Sequence, residues 1–223
     1  MRQRGAGSRL RVAAWVLLPL GLVLAVGGLG YFFANYQGAT VMSESMVPTY
    51  GPGERLVVER IDTDEIRRGD VVLVIVPDRY QDRPVLQRVV GTGGDHVVSD
   101  GDRITVNGQP VDEPYVRRDG MNPATQPYEA RIPDGRLFLL GDNRGNSYDS
   151  RFFLGEQSGS VAATGVLGRV ENGVAVPVTC GTLGVLGTVL ALVGTGLGIG
   201  GYASGRSARR RLAAAPPWHD LSR

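Results

Sequence analysis

Two uncharged apolar runs constrain this chain more than any other feature. Residues 12–33 (VAAWVLLPLGLVLAVGGLGYFF) form 22 uncharged positions, and a helix of that length spans the hydrocarbon core of a bilayer. Trp15 lies near one end and Tyr31, Phe32 and Phe33 at the other, where amphipathic rings suit a membrane interface. A cleavable signal peptide is the alternative, because Ala34 and Gly38 supply small residues downstream. The length of the run and its bulky aromatic end favour an uncleaved anchor. Residues 174–202 also carry no charge and are rich in Gly, with small-xxx-small pairs at Gly194/Gly198 and Gly196/Gly200. A flexible linker is the alternative here, but Val189-Leu190-Ala191-Leu192-Val193 is too apolar to rest in water. A second transmembrane helix, tilted or partly interfacial, is expected.

Charge orients these spans. Arg2, Arg4, Arg9 and Arg11 precede the first, and Arg206, Arg209, Arg210 and Arg211 follow the second. The positive-inside rule puts both ends in the cytoplasm. The expected plan is a cytoplasmic Arg-rich segment at 1–11, a span at 12–33, an extracytoplasmic domain at 34–173, a span at 174–202 and a cytoplasmic tail at 203–223. The protein would then be a multi-pass component of the cell membrane with lipid as a partner. The formal net charge is only +2, and acidic residues interleave with the basic ones, which argues against nucleic acid as a partner. Cys180 is the single cysteine, so neither an internal disulfide nor a multi-thiolate metal site is available.

From about Leu56 to Val170 the chain reads as mainly β. Short Val/Ile/Leu runs bounded by Gly, Asp and Pro occur at Leu56–Val58, Val71–Val76, Val85–Val90, Arg103–Val106 and Leu137–Leu140. Asn107-Gly108 tolerates positive φ and predicts a tight hairpin. Residues 117–131 are polar and Pro-bearing, and read as a surface excursion.

Three stretches invite a chemical reading. Ser43-Glu44-Ser45-Met46-Val47-Pro48-Thr49 lies about ten residues past the first span and offers a nucleophilic serine, or simply a membrane-proximal turn. Gly91-Thr92-Gly93-Gly94-Asp95 lacks the Lys-Ser/Thr ending of a phosphate loop, and a β-like stretch follows it, so nucleotide binding is rejected. Leu140 to Arg151 is dense in Asp, Asn, Arg and Ser and reads equally as a buried polar network or a solvated loop. The central region has one histidine, His96, and no cysteine, which gives a zinc site little support; no metal or other cofactor is expected.

Taken in order, these segments resemble the type I signal peptidases, membrane-anchored serine peptidases with a Ser/Lys dyad. Ser43–Thr49 resembles their nucleophile motif with Ser45 as nucleophile, Gly69-Asp70-Val71-Val72 the next box, and Arg88–Asp95 the segment carrying the base. Asn107-Gly108 and Asp112-Glu113-Pro114-Tyr115 resemble the family's hairpin. Gly141-Asp142-Asn143-Arg144 through Ser147, Asp149 and Arg151 resembles the last box, with Gly168-Arg169 as its sequel. The resemblance implies a signal-peptidase-like β catalytic domain between an N-terminal and a C-terminal transmembrane helix. It also implies removal of signal peptides from secreted preproteins, with small residues preferred at the −1 and −3 positions. Ser45 would attack the scissile carbonyl while its backbone N–H and the Ser43 hydroxyl hold the oxyanion. Ser147 would orient the base, and Asp142, Asp149, Arg151 and Arg88 would support the site.

One position departs from the pattern. The family's lysine base precedes the Arg of the Arg-Val-Val-Gly box, and here Gln87 stands there, in a chain whose 24 basic residues are all Arg. An amide has no useful basicity, and Arg83 and Arg88 stay protonated at neutral pH. Two readings follow. The chain is a working peptidase that takes its base from His96, water or a partner chain, or it is an impaired paralogue that binds signal peptides or another protein without efficient cleavage. Gln87 could still hydrogen-bond Ser147 and Ser45 in either case.

Overall fold

The computed structural model of the protein describes residues 6–77, 79–116, 126–171, 173 and 175–213. It separates into a helical unit, Met1–Ala34 with Ala175–Arg223, and a β-rich unit, Asn35–Val174. Among the described residues, two helices are long and apolar enough to cross a membrane. Helix α1 is Ala6–Asn35 and α2 is Ala175–Ala213, so α2 continues well past the apolar run expected to end at 202. Its extension includes Arg206, Arg209, Arg210 and Arg211 with Ala203, Ala208 and Ala213, and both residue types are good helix formers. Arg2 and Arg4 lie outside the described residues.

Small residues let the two helices touch backbone to backbone. A Cβ on Gly28 would stand 2.6 Å from the Gly184 nitrogen and 2.7 Å from the Cys180 carbonyl, and one on Gly194 would meet the Leu18 nitrogen at 2.8 Å. Gly21 faces Gly187 and Ala191 in the same antiparallel register. Of the two small-residue pairs in the sequence, Gly194/Gly198 lies on this interface, whereas Gly196 and Gly200 face open space. Van der Waals contact between close backbones is what associates helices in lipid, because burial from water contributes nothing there.

Among the described residues of the β-rich unit, eleven strands form two antiparallel sheets. The strands are β1 (Tyr36–Thr40), β2 (Arg55–Glu59), β3 (Val71–Val74), β4 (Val85–Thr92), β5 (His96–Ser99), β6 (Ile104–Val106), β7 (Gln109–Pro110), β8 (Tyr128–Arg131), β9 (Arg136–Leu140), β10 (Val161–Ala162) and β11 (Val166–Val170). The larger sheet has the order β1-β2-β11-β3-β4-β9-β10 and the smaller β7-β6-β5-β8. Strand β9 explains the core. Its Leu137 and Leu139 pack with Val72, Val74 and Val89, while Phe138 and Leu140 pack with Val97, Val106 and Ile132. With apolar residues at both parities, the strand is buried on both faces. A third apolar cluster joins Val41, Met46, Leu56, Val58, Val71, Leu86 and Val170.

The turn from β4 to β5 is the glycine-rich stretch. Its Asp95 carboxylate accepts from the Thr92 nitrogen at 2.8 Å and from Asn107 Nδ2 at 2.8 Å, so the segment passes the chain from one sheet to the other. Asn107 and Gly108 have φ of 54° and 78° and close the expected hairpin between β6 and β7. The expected surface excursion over 117–131 needs correction: residues 117–125 lie outside the described residues, and Tyr128–Arg131 is strand β8. Tyr128 and Ala130 point into the core while Glu129 and Arg131 face out, a period of two too short to register amid polar neighbours.

Phe138 has no exposed surface and lies at the centre of its cluster. Phe138→Ala is expected to lower the unfolding free energy by about 3–5 kcal/mol, read as a fall in the denaturant midpoint of the detergent-solubilised chain.

Candidate active site

The Ser43–Thr49 segment follows β1 and is pinned from below. Met46 is completely buried in the third apolar cluster, so the residue after Ser45 is a core residue. The Tyr50 nitrogen donates to the Met46 carbonyl at 3.0 Å and Val47 N to the Glu44 carbonyl at 3.1 Å, forming a compact turn in which the Val47–Pro48 peptide is cis. The opposite wall is the segment after β9. Asn143 N donates to the Ser45 carbonyl at 2.9 Å, Asn143 Nδ2 to the Glu44 carbonyl at 3.1 Å, and Thr49 Oγ1 to Asp142 Oδ2. At the tip, the Ser43 and Ser45 hydroxyl oxygens are 3.0 Å apart.

Asp142 is fully buried and joins three segments. Arg88 grips it with two parallel bonds, Nε to Oδ1 at 2.8 Å and Nη2 to Oδ2 at 2.6 Å, and donates its Nη1 to the Gly69 carbonyl at 2.8 Å. Burial alone would lower the Arg88 pKa, but the hydrogen-bonded Asp142 carboxylate outweighs it and holds the guanidinium above its ordinary value. The Tyr115 ring covers Arg88 at 3.8 Å. Burial first, then the charge of Glu113, push the Tyr115 phenol up to about 12.

Two further buried pairs complete the frame. Arg144 pairs with Glu113 and donates to the Gly141 carbonyl at 2.9 Å. Arg151 binds Asp149 through Nε at 2.7 Å and Nη2 at 2.8 Å, and Asp149 accepts from the Gly141 nitrogen at 3.2 Å. Gly141 is thus held from both sides. A Cβ there would come within 2.5 Å of Ser147 Cβ and 2.6 Å of the Ser45 carbonyl oxygen, which leaves no residue but glycine at this position.

Gln87 is buried on β4 beside this frame. Its Nε2 donates to the Tyr80 hydroxyl at 3.1 Å and to the Tyr148 carbonyl at 3.1 Å. The expected bonds from Gln87 to Ser147 and Ser45 are not formed: its Nε2 is engaged by Tyr80 and Tyr148, and Ser147 Oγ bonds to nothing among the described residues. Tyr80 reaches Gln87 from a turn in which Tyr80, Gln81 and Asp82 all have φ of 54–57°, an uncommon run for residues with side chains. Ser147 is buried, and its Oγ has no partner among the described residues. His96 is on β5 of the smaller sheet, where its Nε2 lies 2.7 Å from Glu129 Oε1.

The structure therefore brings Ser43, Ser45, Asp142 and Arg88 into one connected network, with Gly141 linking it to Ser147, Asp149 and Arg151. His96 is engaged on another sheet. Several contributors were given no role from the sequence, Gly141, Glu113 and Arg144 among them. Thr49 and Asn143 lie inside the quoted motifs, so their proximity was a usable signal. Tyr80 and the Tyr148 carbonyl carry none, because a phenol thirty-five residues from Ser45 and a backbone oxygen have no pattern to recognise. A serine is presented in a fixed turn, and among the described residues its hydroxyl bonds only to Ser43.

Asp142→Ala would leave the Arg88 guanidinium buried without its carboxylate. The expected loss of stability is about 3–5 kcal/mol, measured by denaturant unfolding. The paired change Arg88→Met with Asp142→Leu is expected to recover much of it.

The chain is similar to proteins of one known family. The profile of the family described as signal peptidase, peptidase S26, matches residues 11–174. A signal peptidase I of Leptolyngbya laminosa is 35% identical over 160 residues, covering 68% of this chain and 73% of the relative. Signal peptidase I S of Bacillus subtilis (strain 168) is 31% identical over 166 residues, covering 70% and 86%. A solved signal peptidase I structure from Enterococcus faecalis V583 is 27% identical, with a TM-score of 0.40 over 48% of this chain and 97% of that one. The chain belongs to the signal peptidase family, peptidase S26.

Proposed function

We propose that this protein is a signal peptidase I-type serine endopeptidase acting on signal-peptide-bearing preproteins at the outer face of the cell membrane, with Gln87 making its proton transfer slow. The observation that carries the reading is the Ser45 turn, anchored in the core by Met46 and tied to Asn143 and Asp142. Such anchoring aims the hydroxyl before substrate arrives, which is where most of the positional benefit in catalysis comes from. Ser45 Oγ attacks the carbonyl of an extended signal peptide and forms an acyl-enzyme. The Ser45 N–H and the Ser43 hydroxyl, 3.0 Å from Ser45 Oγ, stabilise the oxyanion. Arg88, Asp142, Asp149 and Arg151 keep the frame rigid. Gln87 occupies the position of the family's lysine base. The Arg-rich ends support placing both termini in the cytoplasm and residues 34–173 outside.

A second reading is favoured by one contact set. The Gln87 amide is spent on Tyr80 and Tyr148, which supports a paralogue that binds signal peptides, or a partner protein, without efficient cleavage. Loss of a general base lowers rates by roughly 10²–10⁴-fold.

Cleavage of a preprotein by the full chain in detergent separates the two. The expected order is Gln87→Lys faster than wild type by about 10²–10⁴-fold, and Ser45→Ala inactive. Wild-type cleavage as fast as Gln87→Lys would overturn the slow-transfer reading. Signal-peptide binding without cleavage in any variant would establish the binding protein instead. Accessibility of residues 50–116 to protease from the cytoplasmic face would overturn the orientation.

A further inference from the structure

The Ser45 site has a buried hydroxyl with nothing to bond and an amide with one end unused. Ser147 Oγ is unpartnered, and Ser147 packs against the same face of Gly141 as the Ser45 carbonyl. A carbonyl oxygen only accepts, so the Gln87 atom facing Tyr148 O must be the donor Nε2. That fixes the amide. Nε2 is held by Tyr80 and Tyr148, and Oε1 is left without a donor among the described residues. The Tyr148 carbonyl belongs to the residue directly after Ser147, so Gln87 and Ser147 are neighbours across this point. The buried Ser147 hydroxyl beside a solvent-reachable Gln87 oxygen suits one water, because a buried hydroxyl without a protein partner is usually satisfied that way.

We propose that Gln87 Oε1 and Ser147 Oγ form a binding site for solvent water or hydroxide next to Ser45, and that solvent hydroxide is the base that removes the Ser45 proton. This rests on Ser45 being the nucleophile. In the step, hydroxide takes the Oγ proton and becomes water, Oγ bonds to the acyl carbon, and the bond from that carbon to the leaving group breaks; a peptide nitrogen leaves as the amine by taking a proton back from that water, whereas a nitrophenolate leaves without one.

The surrounding charges keep the dependence on hydroxide simple. From β4, Arg88 is paired with Asp142; from the segment after β9, Arg151 is paired with Asp149 and Arg144 with Glu113. From the Ser45 turn, Glu44 accepts from Asn146. Tyr80 faces Gln87 directly, and burial pushes its phenol up from the ordinary value, so it stays neutral through the slightly alkaline range. Arginine remains charged throughout.

The test is acetylation of Ser45 by p-nitrophenyl acetate, an activated ester that needs no peptide groove, followed by mass spectrometry on the full chain in detergent. From pH 6.5 to 9.5 the wild-type rate is expected to rise about tenfold per pH unit, because it is first order in hydroxide. Ser147→Ala and Gln87→Leu are each expected to slow it about tenfold or more with the slope unchanged, and Gln87→Lys to replace the slope with a plateau. A wild-type plateau near neutral pH, no acetylation of Ser45 at any pH, or full wild-type rates in both Ser147→Ala and Gln87→Leu would overturn the proposal. Failure of the signal-peptide reading would show instead as absent preprotein binding, to which this ester is blind.

Discussion

The Asp142 carboxylate is the constraint on which the β-rich unit's site depends. It is fully buried, and a charge so placed is tolerable only when its oxygens are bonded. Arg88 from β4 and Thr49 from the Ser45 turn supply those bonds. The need to satisfy one carboxylate therefore brings together three pieces of chain far apart in sequence. Planarity matters here, since the guanidinium fork matches both carboxylate oxygens at once in a way a point-charge ammonium would not. The same logic recurs at Asp149 with Arg151 and at Glu113 with Arg144. Three acid–arginine pairs thus enclose Gly141, the one residue small enough to let the Ser147 and Ser45 segments meet.

Within that frame, holding a serine and activating it are separate tasks carried by separate residues. The parts that hold Ser45 are bonded and packed. At Gln87 the amide is a structural tie, bridging Tyr80 and the Tyr148 carbonyl, and it offers no basic lone pair. The site thus has a serine fixed in place and, at Gln87, an amide fixed elsewhere.

Much of the fold could be read from the chain because burial leaves a strong trace. The two apolar runs gave the helices, although α2's Arg-rich extension has no hydropathic mark. Leu137–Leu140 was legible as a strand because both of its faces are apolar, and Val85–Val90 because Val and Leu flank Gln87 and Arg88 on either side. Strands β1 and β11 are harder to see: Tyr36–Thr40 has Gly38 at its centre, and Val166–Val170 contains Gly168, whose missing side chain makes room for the Glu59 carbonyl. β8 was misread because its alternation spans four residues. For the site, ordered motifs identified Ser43, Ser45, Arg88, Asp142, Ser147, Asp149 and Arg151. Pairing could not be read. That Arg88 belongs to Asp142, and that Gln87 turns to Tyr80, depends on register and on side-chain direction, which only the folded chain sets.

Met46 gives the site an unusual dependence. The residue bonded to Ser45 is itself a fully buried member of an apolar cluster with Val58, Val71 and Val170. No hinge separates Ser45 from the core, so the serine cannot be withdrawn by swinging a loop aside. An effector that repositioned it would have to disrupt the cluster first. The position of this serine is therefore coupled to the packing of the whole β-rich unit, and whatever loosens that cluster also loosens the serine.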